Sequence, residues 1–452
     1  MNQSQPGQHE FVLNQAIKER FDDMRFRWFS HQEIRDIANR LSTAIQIGID
    51  RQGIPTRADG GVLAIPSHVT AISQSQIAQL PEDAVAITAA CGGTNWIFTL
   101  ARKQADGTVI LEEASSDEMP EGERTHTFDS LMDLIAGNVA RVAKQYGVEA
   151  HPHLAIGISF GFPQTNLKQE NGDIDCRITM SHLPKKWIVT DCDDSVPAEQ
   201  QPSLSDLLRT KLTALGITSP GAITIINDTV AVSLDVQHVD DLPVGFVFGT
   251  GTNAALFVDS TKGILNLESG HMPMEPDAVW EEMKRRGYIT EERPVMEHWM
   301  GGGNLPYRIA AALYLVEDMV PNAARFAEMF INTENQALIS HLASSDFSDL
   351  QFAGVTPEEE DVLRSVCRRV LTQAGQVIGI MSAVVAEHAG YKQGSAHFPF
   401  EGSLMKKGYN VQRTALDTAE LLIPGHQLQP YVATGMIGVA KLAMVQTAEY
   451  YT

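Results

Sequence analysis

Cysteine is scarce in this sequence, and its few residues lie far apart. The 452 residues include four cysteines and no CxxC pair, namely Cys91, Cys176, Cys192 and Cys367. A disulfide framework or a thiolate metal site needs cysteines that are more numerous or closely spaced. The pattern therefore favours a reduced, cytoplasmic setting over a disulfide-bonded scaffold.

Positive charge is also in short supply. The chain has 34 lysines and arginines against 56 aspartates and glutamates, which gives a formal net charge of -22. Nucleic acids are bound mainly by clustered basic side chains, so this balance argues against a nucleic-acid partner. A nucleotide would have to be held by a local nest of backbone N–H groups or by a bound cation.

Targeting segments and membrane-length apolar runs are not recognisable. The N-terminal residues MNQSQPGQHEF have neither a basic region nor an apolar one, so no signal peptide is expected. The most apolar helical stretch, Ala374–Ala386, is interrupted by Gln376 and is too short to cross a bilayer. Hydrophobic residues make up 43% and charged residues 20%, which is typical of a soluble globular protein. We expect an intracellular protein with no membrane partner.

The order of apolar patterns predicts alternating strands and helices. Two helices are expected between Phe11 and Ile49, strands at Val85–Ala90 and Trp96–Arg102, and a long helix at Pro357–Tyr391. Such alternation indicates an α/β fold, and the length indicates two or three domains.

Two glycine turns repeat the same strand–turn–strand pattern, in CGGTNWIFTL (91–100) and in GTGTNAALFV (249–258). Glycines allow backbone N–H groups to approach an anion closely, and threonine and asparagine add polar donors. Each turn alone could equally be a tight hairpin. The repeat favours two related domains that face each other across a ligand cleft.

Polar residues at strand ends supply candidates for chemistry. Asn227 and Asp228 follow the apolar strand AITII, where Asp228 could act as a general base, cap the next helix, or do both. Glu268 follows another strand and could bind a polyol or face solvent in a turn. Lys185 and Lys186 are more typical of surface charges.

The motifs taken together resemble those of the eukaryotic-type hexokinases. IPSHV, CGGTN, GISFGFP, TIINDTV, GFVFGTGTNA, NLESG, VCRRVLTQAGQ and FEGSL occur in that family's order and approximate spacing. The resemblance extends from about Phe11 to Tyr450. It implies the two-domain actin-like ATPase and hexokinase fold with a ligand cleft between the domains. It also implies phosphorylation of a glucose-like hexose at the 6-hydroxyl from ATP and Mg²⁺.

The resemblance also implies residue roles. Asp228 matches the catalytic base, and Lys185 matches a residue that binds the sugar and steadies the phosphoryl group. Asn227, Asn253 and Glu268 match sugar-binding positions. The nucleotide would meet two phosphate loops and an adenosine loop, which correspond to Gly92, Gly93, Thr94, Asn95, Gly249, Thr250, Gly251, Thr252 and Gly435. We expect residues 1–63 to form helices on a large domain (226–433), and 64–225 with about 434–452 to form the small domain.

Several positions depart from the family pattern. The aspartate that precedes the first phosphate loop corresponds to Ala90, and an arginine after that loop corresponds to Ile97. In the sugar site, a serine corresponds to Gly161, a threonine to Pro184 and a second glutamate to Tyr307. No metal ligand is assigned.

Three interpretations therefore stay open. The protein is an active hexose kinase, a non-catalytic regulator that binds sugar or nucleotide, or a kinase with a different acceptor. The partners expected are a hexose and ATP, and the chain would be a monomer or a homodimer.

Overall fold

The computed structural model describes residues 15–51, 62–92, 95–113, 115–118, 125–179, 188–192, 196–197, 200–238, 241–332, 336–344 and 355–451. The first of these form helices and a short strand: α1 (Gln15–Asp23), α2 (His31–Asp50), β1 (Ile65–Pro66) and α3 (Gln74–Gln79). Ser30 begins α2 with a capping box, because its hydroxyl accepts the N–H of Glu33 and the Glu33 carboxylate accepts the N–H of Ser30. The two predicted N-terminal helices are confirmed.

The next segment is rich in strands. It comprises β2 (Val85–Cys91), β3 (Asn95–Lys103), β4 (Val109–Leu111), β5 (Ser115–Glu118), β6 (Thr125–His126), α4 (Phe128–Tyr146), β7 (Leu154–Phe160), β8 (Gln164–Lys168), β9 (Ile174–Ile178), β10 (Ile188–Val189), α5 (Leu204–Ala214) and β11 (Pro220–Asn227).

The remaining segment is mostly helical. It comprises α6 (Asp228–Ser233), β12 (Val244–Phe248), β13 (Thr252–Asp259), β14 (Gly263–Asn266), a 3₁₀ turn (Ser269–His271), α7 (Ala278–Arg285), α8 (Glu297–Met300), α9 (Leu305–Tyr314), α10 (Ala323–Asn332), α11 (Gln336–Ser344), α12 (Pro357–His388), β15 (Ser395–Glu401), α13 (Ser403–Lys407), α14 (Val411–Leu422), β16 (Gln427–Val432) and α15 (Gly435–Tyr451).

Two sheets form the framework. The first sheet has eight strands in the order β4-β3-β2-β7-β11-β9-β8, with β5 paired to β3. The second sheet has six strands in the order β1-β14-β13-β12-β15-β16. In the first sheet β2, β7 and β11 are parallel, so their carboxyl ends lie at one edge. In the second sheet β12 is parallel to β15 and antiparallel to β13.

Helices cover the first sheet on both faces. Every residue of β7 and β11 is buried, as is typical of parallel strands with helices on each side. Apolar residues of α4 and α5 pack with one face of the sheet. Helix α15 packs on the other face, where the hydroxyl of Thr88 donates to the carbonyl of Met436 at 2.8 Å.

Helix α12 runs through the core beside the second sheet. It has 32 residues, which confirms the long helix predicted at Pro357–Tyr391, and by length and composition it could cross a membrane. However, 89% of its most apolar window is buried inside the protein, which is typical of a core helix. The expectation that this stretch is too short to span was wrong.

The predicted α/β layering is confirmed, with local differences. The apolar spacing predicts that α9 ends at Met319 and that the terminal helix begins near Gly438, whereas α9 ends at Tyr314 and α15 begins at Gly435. The early start of α15 has a tertiary cause: the N–H of Gly435 donates to the Glu401 carboxylate at 2.8 Å, which offsets the poor helix propensity of glycine. The β8–β9 hairpin was not predicted.

Candidate functional site

A cavity lies where the carboxyl edge of the first sheet meets the second sheet. Its lining combines residues from β7, β11, the β12–β13 hairpin, the 3₁₀ turn and α8: Gly161, Asn227, Asp228, Val247, Gly251, Thr252, Asn253, Glu268, His271 and Glu297. Ligands in open α/β sheets bind at such an edge. The structure thus brings together four predicted sugar-site and catalytic residues and two residues of the second predicted phosphate loop.

Asp228 is the first residue of α6, directly after the buried strand β11. Its Oδ1 accepts the N–H of Thr229 at 2.8 Å. Its Oδ2 lies 3.5 Å from the point that a Cβ on Gly161 would occupy, and that same point is 3.9 Å from the Cα of Gly92. The carboxylate is therefore oriented by the helix start and faces the first glycine turn.

The N-cap of α6 is Asn227, which corrects the prediction that Asp228 caps this helix. The Oδ1 of Asn227 accepts the N–H of Thr229 at 2.9 Å, and its Nδ2 donates to the carbonyl of Phe162 at 3.2 Å. A cap residue precedes the first helical residue and its side chain turns back onto the free N–H groups, here the N–H of Thr229 that Asp228 also accepts. Asn227 thus fixes the position from which the Asp228 side chain projects.

A buried amide–carboxylate chain lies on the second-sheet side of the cavity. The Nδ2 of Asn253 donates to the Oδ1 of Asn266 at 2.7 Å, and the Nδ2 of Asn266 donates to the Oε1 of Glu268 at 2.8 Å. Asn266 itself is fully buried. These bonds set the rotamers of Asn253 and Glu268, which both line the cavity, so the predicted pair is pre-organised.

Glu268 adopts an unusual backbone conformation. Its φ is +49°, in the left-handed region that side chains rarely occupy. Such strain, of order 1–3 kcal/mol, is characteristic of functional sites. The conformation ends the β14 segment and turns the chain into the 3₁₀ turn, so that the carboxylate faces the cavity instead of solvent. The interpretation of Glu268 as a solvated turn residue was wrong, since it is 8% exposed.

Glu297 is a cavity residue that the sequence analysis missed. It begins α8, and its carboxylate Oε2 lies 2.9 Å from the point that a Cβ on Gly270 would occupy. The second glutamate had been assigned to Tyr307, but that ring stacks on Tyr288 at 5.3 Å and does not line the cavity. The site therefore keeps a second glutamate. In the sequence, the feature that could have revealed Glu297 is its position shortly before GGG (301–303), a further glycine-rich segment.

The two predicted phosphate loops are both hairpin turns. Cys91 pairs with Trp96 across the first turn, and Phe248 pairs with Thr252 across the second. The second turn rests on a glycine segment: the N–H groups of Gly302 and Gly303 donate to the carbonyls of Gly249 and Thr250 at 2.8 and 2.9 Å. Within the turn, the N–H of Gly249 donates to the carbonyl of Gly251 at 3.0 Å, so these hydrogen bonds fix the backbone of the turn.

The hydroxyl of Thr252 is an unsatisfied buried group. Thr252 is 5% exposed and lines the cavity, and its Oγ1 has no hydrogen-bond partner within the described part of the chain. Buried hydroxyls almost always have a partner, so an exception indicates a ligand or water position. This donor fits a phosphate or hydroxyl oxygen bound at the second turn.

Ala90 and Ile97 lie directly opposite each other in the β2–β3 register. Residues paired in this way project from the same face of the sheet, here the face that carries Thr88 and therefore α15. The family's aspartate and arginine at these positions would be cross-strand neighbours. The two departures are therefore one paired change, from opposite charges to two apolar side chains.

Glu401 is a further acidic group near the cavity. It ends β15 beside Val247 of β12, and its Oε2 accepts the N–H of Gly435. The pKa of Glu401 is raised to about 7, mainly by burial and also by the negative charges of Asp228 and Asp235, although the Gly435 hydrogen bond acts to lower it. Gly435, predicted to meet the adenosine, thus has its N–H engaged by Glu401.

Some predicted positions lie outside the described residues. These are Lys185, Pro184, Gly93 and Thr94, and the side chain of Asn95. Among the residues that the structure does describe, no group of three or more histidine, cysteine, aspartate or glutamate side chains could hold a metal ion.

Comparison with known proteins shows which family the chain resembles. Residues 24–238 match the family model described as Hexokinase. Hexokinase HKDC1 of Homo sapiens is 20% identical over 429 residues, which cover 87% of this chain and 44% of that protein. Hexokinase-2 of Solanum tuberosum is 26% identical over 253 residues, or 52% of this chain and 47% of that protein. The chain thus spans about half the length of these curated relatives.

Solved structures share the fold. A hexokinase from Schistosoma mansoni complexed with glucose aligns with a TM-score of 0.75 at 17% identity, over 96% of this chain and 100% of that one. A second hexokinase structure aligns equally well at 16% identity. The predicted α/β, actin-like sugar-kinase fold is confirmed. The family model, the curated relatives and the fold are all similar to hexokinases, and together they support a divergent member of that family.

Proposed function

We propose that the protein phosphorylates a hexose at its 6-hydroxyl, with ATP and Mg²⁺ as the second substrate and Asp228 as the general base. The observation that carries this proposal is the position of Asp228. Its carboxylate projects from a helix start into the gap beside the first glycine turn, and it shares a cavity with the second turn and with Asn253, Glu268 and Glu297. Acceptor-binding and phosphate-binding groups therefore surround one candidate base.

Phosphoryl transfer needs few protein side chains. Asp228 accepts the proton of the acceptor hydroxyl while that oxygen attacks the γ-phosphorus. The bond from the γ-phosphorus to the bridging oxygen then breaks, and ADP leaves with that electron pair. Positioning and charge stabilisation supply most of the rate in phosphoryl transfer. A positioned base adds about 10²–10⁴-fold.

The acceptor would be held on the second-sheet side. Glu268 and Glu297 offer carboxylate oxygens to donating hydroxyls, and Asn253 offers its amide. Lys185 would add a positive charge at the phosphoryl group. The hexose class is supported by the similarity to the hexokinase family and by the glucose named for the similar Schistosoma mansoni structure.

The nucleotide would be held less firmly at the first turn. Mg²⁺ in kinase sites is bound largely by phosphates and water, so the backbone N–H groups of the two turns and the Thr252 hydroxyl remain useful without a metal cage. The loss of one outer carboxylate at Ala90 costs about 10–100-fold in metal affinity or activity. We therefore propose a slow kinase rather than an inert one.

A second function is favoured by one observation. The Ala90–Ile97 pair removes both charges at the first turn, which would suit a regulator that binds sugar and no longer transfers phosphate. In this alternative the protein keeps the residues that bind sugar but has lost the charged residues that help to bind the nucleotide.

A direct assay distinguishes the two functions. The purified protein is screened with a panel of hexoses and Mg-ATP for ADP release, beside Asp228→Ala. We expect at least one hexose to raise ADP release above the level of the variant. If none does, while calorimetry still detects sugar binding, the kinase proposal fails and the regulator is favoured.

A further inference from the structure

The cavity contains one titratable ring to which neither the sequence motifs nor the proposed mechanism gives a role. His271 ends the 3₁₀ turn and lines the cavity with Asp228, Glu268 and Glu297. We propose that His271 is a specificity-determining residue that contacts the acceptor sugar beside Glu268. This inference rests on the proposed function and adds a residue and a selectivity to its acceptor site.

The backbone fixes the position of the ring. The N–H of His271 donates to the carbonyl of Glu268 at 3.1 Å, which closes the turn. The strained φ of Glu268 begins this turn, and Gly270 lies at its middle. A Cβ on Gly270 would lie 2.5 Å from the carbonyl oxygen of Thr252 and 2.9 Å from the Glu297 carboxylate. Only glycine therefore lets the turn approach both the phosphate-loop strand and Glu297.

The ring faces Glu268. Its Nδ1 lies 3.6 Å from Oε2 of Glu268, whereas Oε1 of that carboxylate is held by the amide of Asn266. The side chains of His271 and Glu268 are 22% and 11% exposed, and the exposed part opens into the cavity. A hydroxyl bound by Oε2 of Glu268 is thus placed within reach of the imidazole.

The imidazole can donate a hydrogen bond to a sugar hydroxyl, which ionised carboxylates cannot do. Asp228, Glu268 and Glu297 only accept hydrogen bonds when ionised, whereas a neutral imidazole has one donor and one acceptor nitrogen. A sugar hydroxyl that donates to Glu268 can accept from a ring N–H. A site that makes both bonds to one hydroxyl rejects acceptors that lack it, because its own polar groups are then left unpaired.

The experiment is a mutant cycle between the side chain and single sugar hydroxyls. Wild type, His271→Ala and His271→Asn are measured with a parent hexose and its monodeoxy analogues, both by calorimetric Kd without nucleotide and by KM and kcat. His31→Ala, an exposed imidazole at the start of α2, is the matched control. One neutral hydrogen bond is worth about 0.5–1.5 kcal/mol, so we expect Kd to rise about 2–13-fold in His271→Ala.

The inference is tested by how the change in Kd between wild type and variant differs among the sugar analogues. We expect one deoxy analogue to bind wild type and His271→Ala equally well, partial recovery in His271→Asn, and kcat within about threefold. An equal loss for every analogue, or no loss, overturns the inference even if turnover is normal. If the wild type binds sugars with this pattern but transfers no phosphate, the inference stands and the proposed kinase fails. If no sugar binds, both are contradicted.

Discussion

The two glycine hairpins occupy matching places in the two sheets, but their surroundings differ. The second hairpin is supported by the Gly301–Gly303 segment and by Gly402, and polar cavity residues follow it at Thr252 and Asn253. The first hairpin is flanked by the apolar pair Ala90 and Ile97. The two hairpins thus share antiparallel strand pairing, but the residues beside the turn are apolar at the first hairpin and polar at the second.

The largest effect should come from disturbing the support of the second hairpin. Gly402 has a φ of +123°, and a Cβ there would overlap the carbonyl oxygen of Phe248. We expect Gly402→Ala to lower the free energy of unfolding by about 2–5 kcal/mol, since overpacking and left-handed strain add. Urea denaturation measures it.

The control is Gly394→Ala. Gly394 has a φ of +100° but nothing within 4 Å of an added Cβ, so only the backbone strain applies and the loss should be about 1–2 kcal/mol. Equal losses in the two variants would show that close packing against the second hairpin contributes nothing.

The next largest effect concerns the ionisation of Glu401, the carboxylate at the end of β15. The folded protein keeps the Glu401 proton up to a pKa of about 7, whereas the unfolded chain loses it near 4.5. Wild-type stability should therefore fall as pH rises from about 4.5 to 7. Glu401→Gln keeps an oxygen for the Gly435 N–H and has no charge to bury. We expect it to be more stable than wild type above pH 7, by at most about 3 kcal/mol.

Denaturation at pH 4.5 and pH 8 measures this difference, which should vanish at the lower pH. Glu328→Gln, an exposed position on α10, should show no change between the two pH values relative to wild type. A Glu401→Gln variant that is destabilised at pH 8 would mean that the carboxylate charge itself holds α15.

Restoring charged residues beside the first hairpin should strengthen nucleotide binding or increase turnover. The double variant Ala90→Asp with Ile97→Arg restores an opposite-charge pair on the α15 face. We expect a gain of about 10–100-fold in Mg-ATP affinity or in kcat/KM for the nucleotide, the range of an outer-shell metal partner. Steady-state kinetics and Mg-ATP calorimetry measure it.

The uncharged double variant Ala90→Asn with Ile97→Gln is the comparison for that gain, because it adds polarity without charge. If both doubles bind Mg-ATP as the wild type does, the first hairpin does not contact the nucleotide–metal complex.

The smallest effect should come from Thr252. Thr252→Val removes a buried hydroxyl without a partner and keeps the side-chain shape. We expect the ligand-free protein to be unchanged or slightly more stable, and Mg-ATP to bind about 3–10-fold more weakly. Thermal unfolding with and without Mg-ATP separates the two effects. A destabilised apo protein with unchanged nucleotide binding would assign the hydroxyl a structural partner instead.

The strand ends were the most predictable part of the site. Buried apolar runs such as AITII predict strands, and a carboxylate after such a run is expected at the sheet edge, as Asp228 is. The hairpin register also follows from the turn length, so the pairing of Ala90 with Ile97 could have been derived. The Asn171–Gly172 turn, a strong hairpin signal, would have predicted the β8–β9 hairpin.

The cavity residues on helices and turns were not predictable in the same way. Glu297 and His271 come from a four-residue helix and a single 3₁₀ turn, which are too short for any periodic pattern. Their place in the cavity depends on Gly270, which allows the turn to approach Glu297. That approach is a tertiary contact, and no local propensity encodes it.

Transfer of phosphate to a sugar is the central claim, and ³¹P NMR of the reaction tests it most directly. Wild type and Asp228→Asn are incubated with Mg-ATP and the hexose that gives the highest ADP release. We predict a growing hexose phosphomonoester signal in equal amount to ADP, slowed by about 10²–10⁴-fold in Asp228→Asn. ADP with inorganic phosphate alone, or a sugar phosphate formed equally fast by Asp228→Asn, would contradict the account.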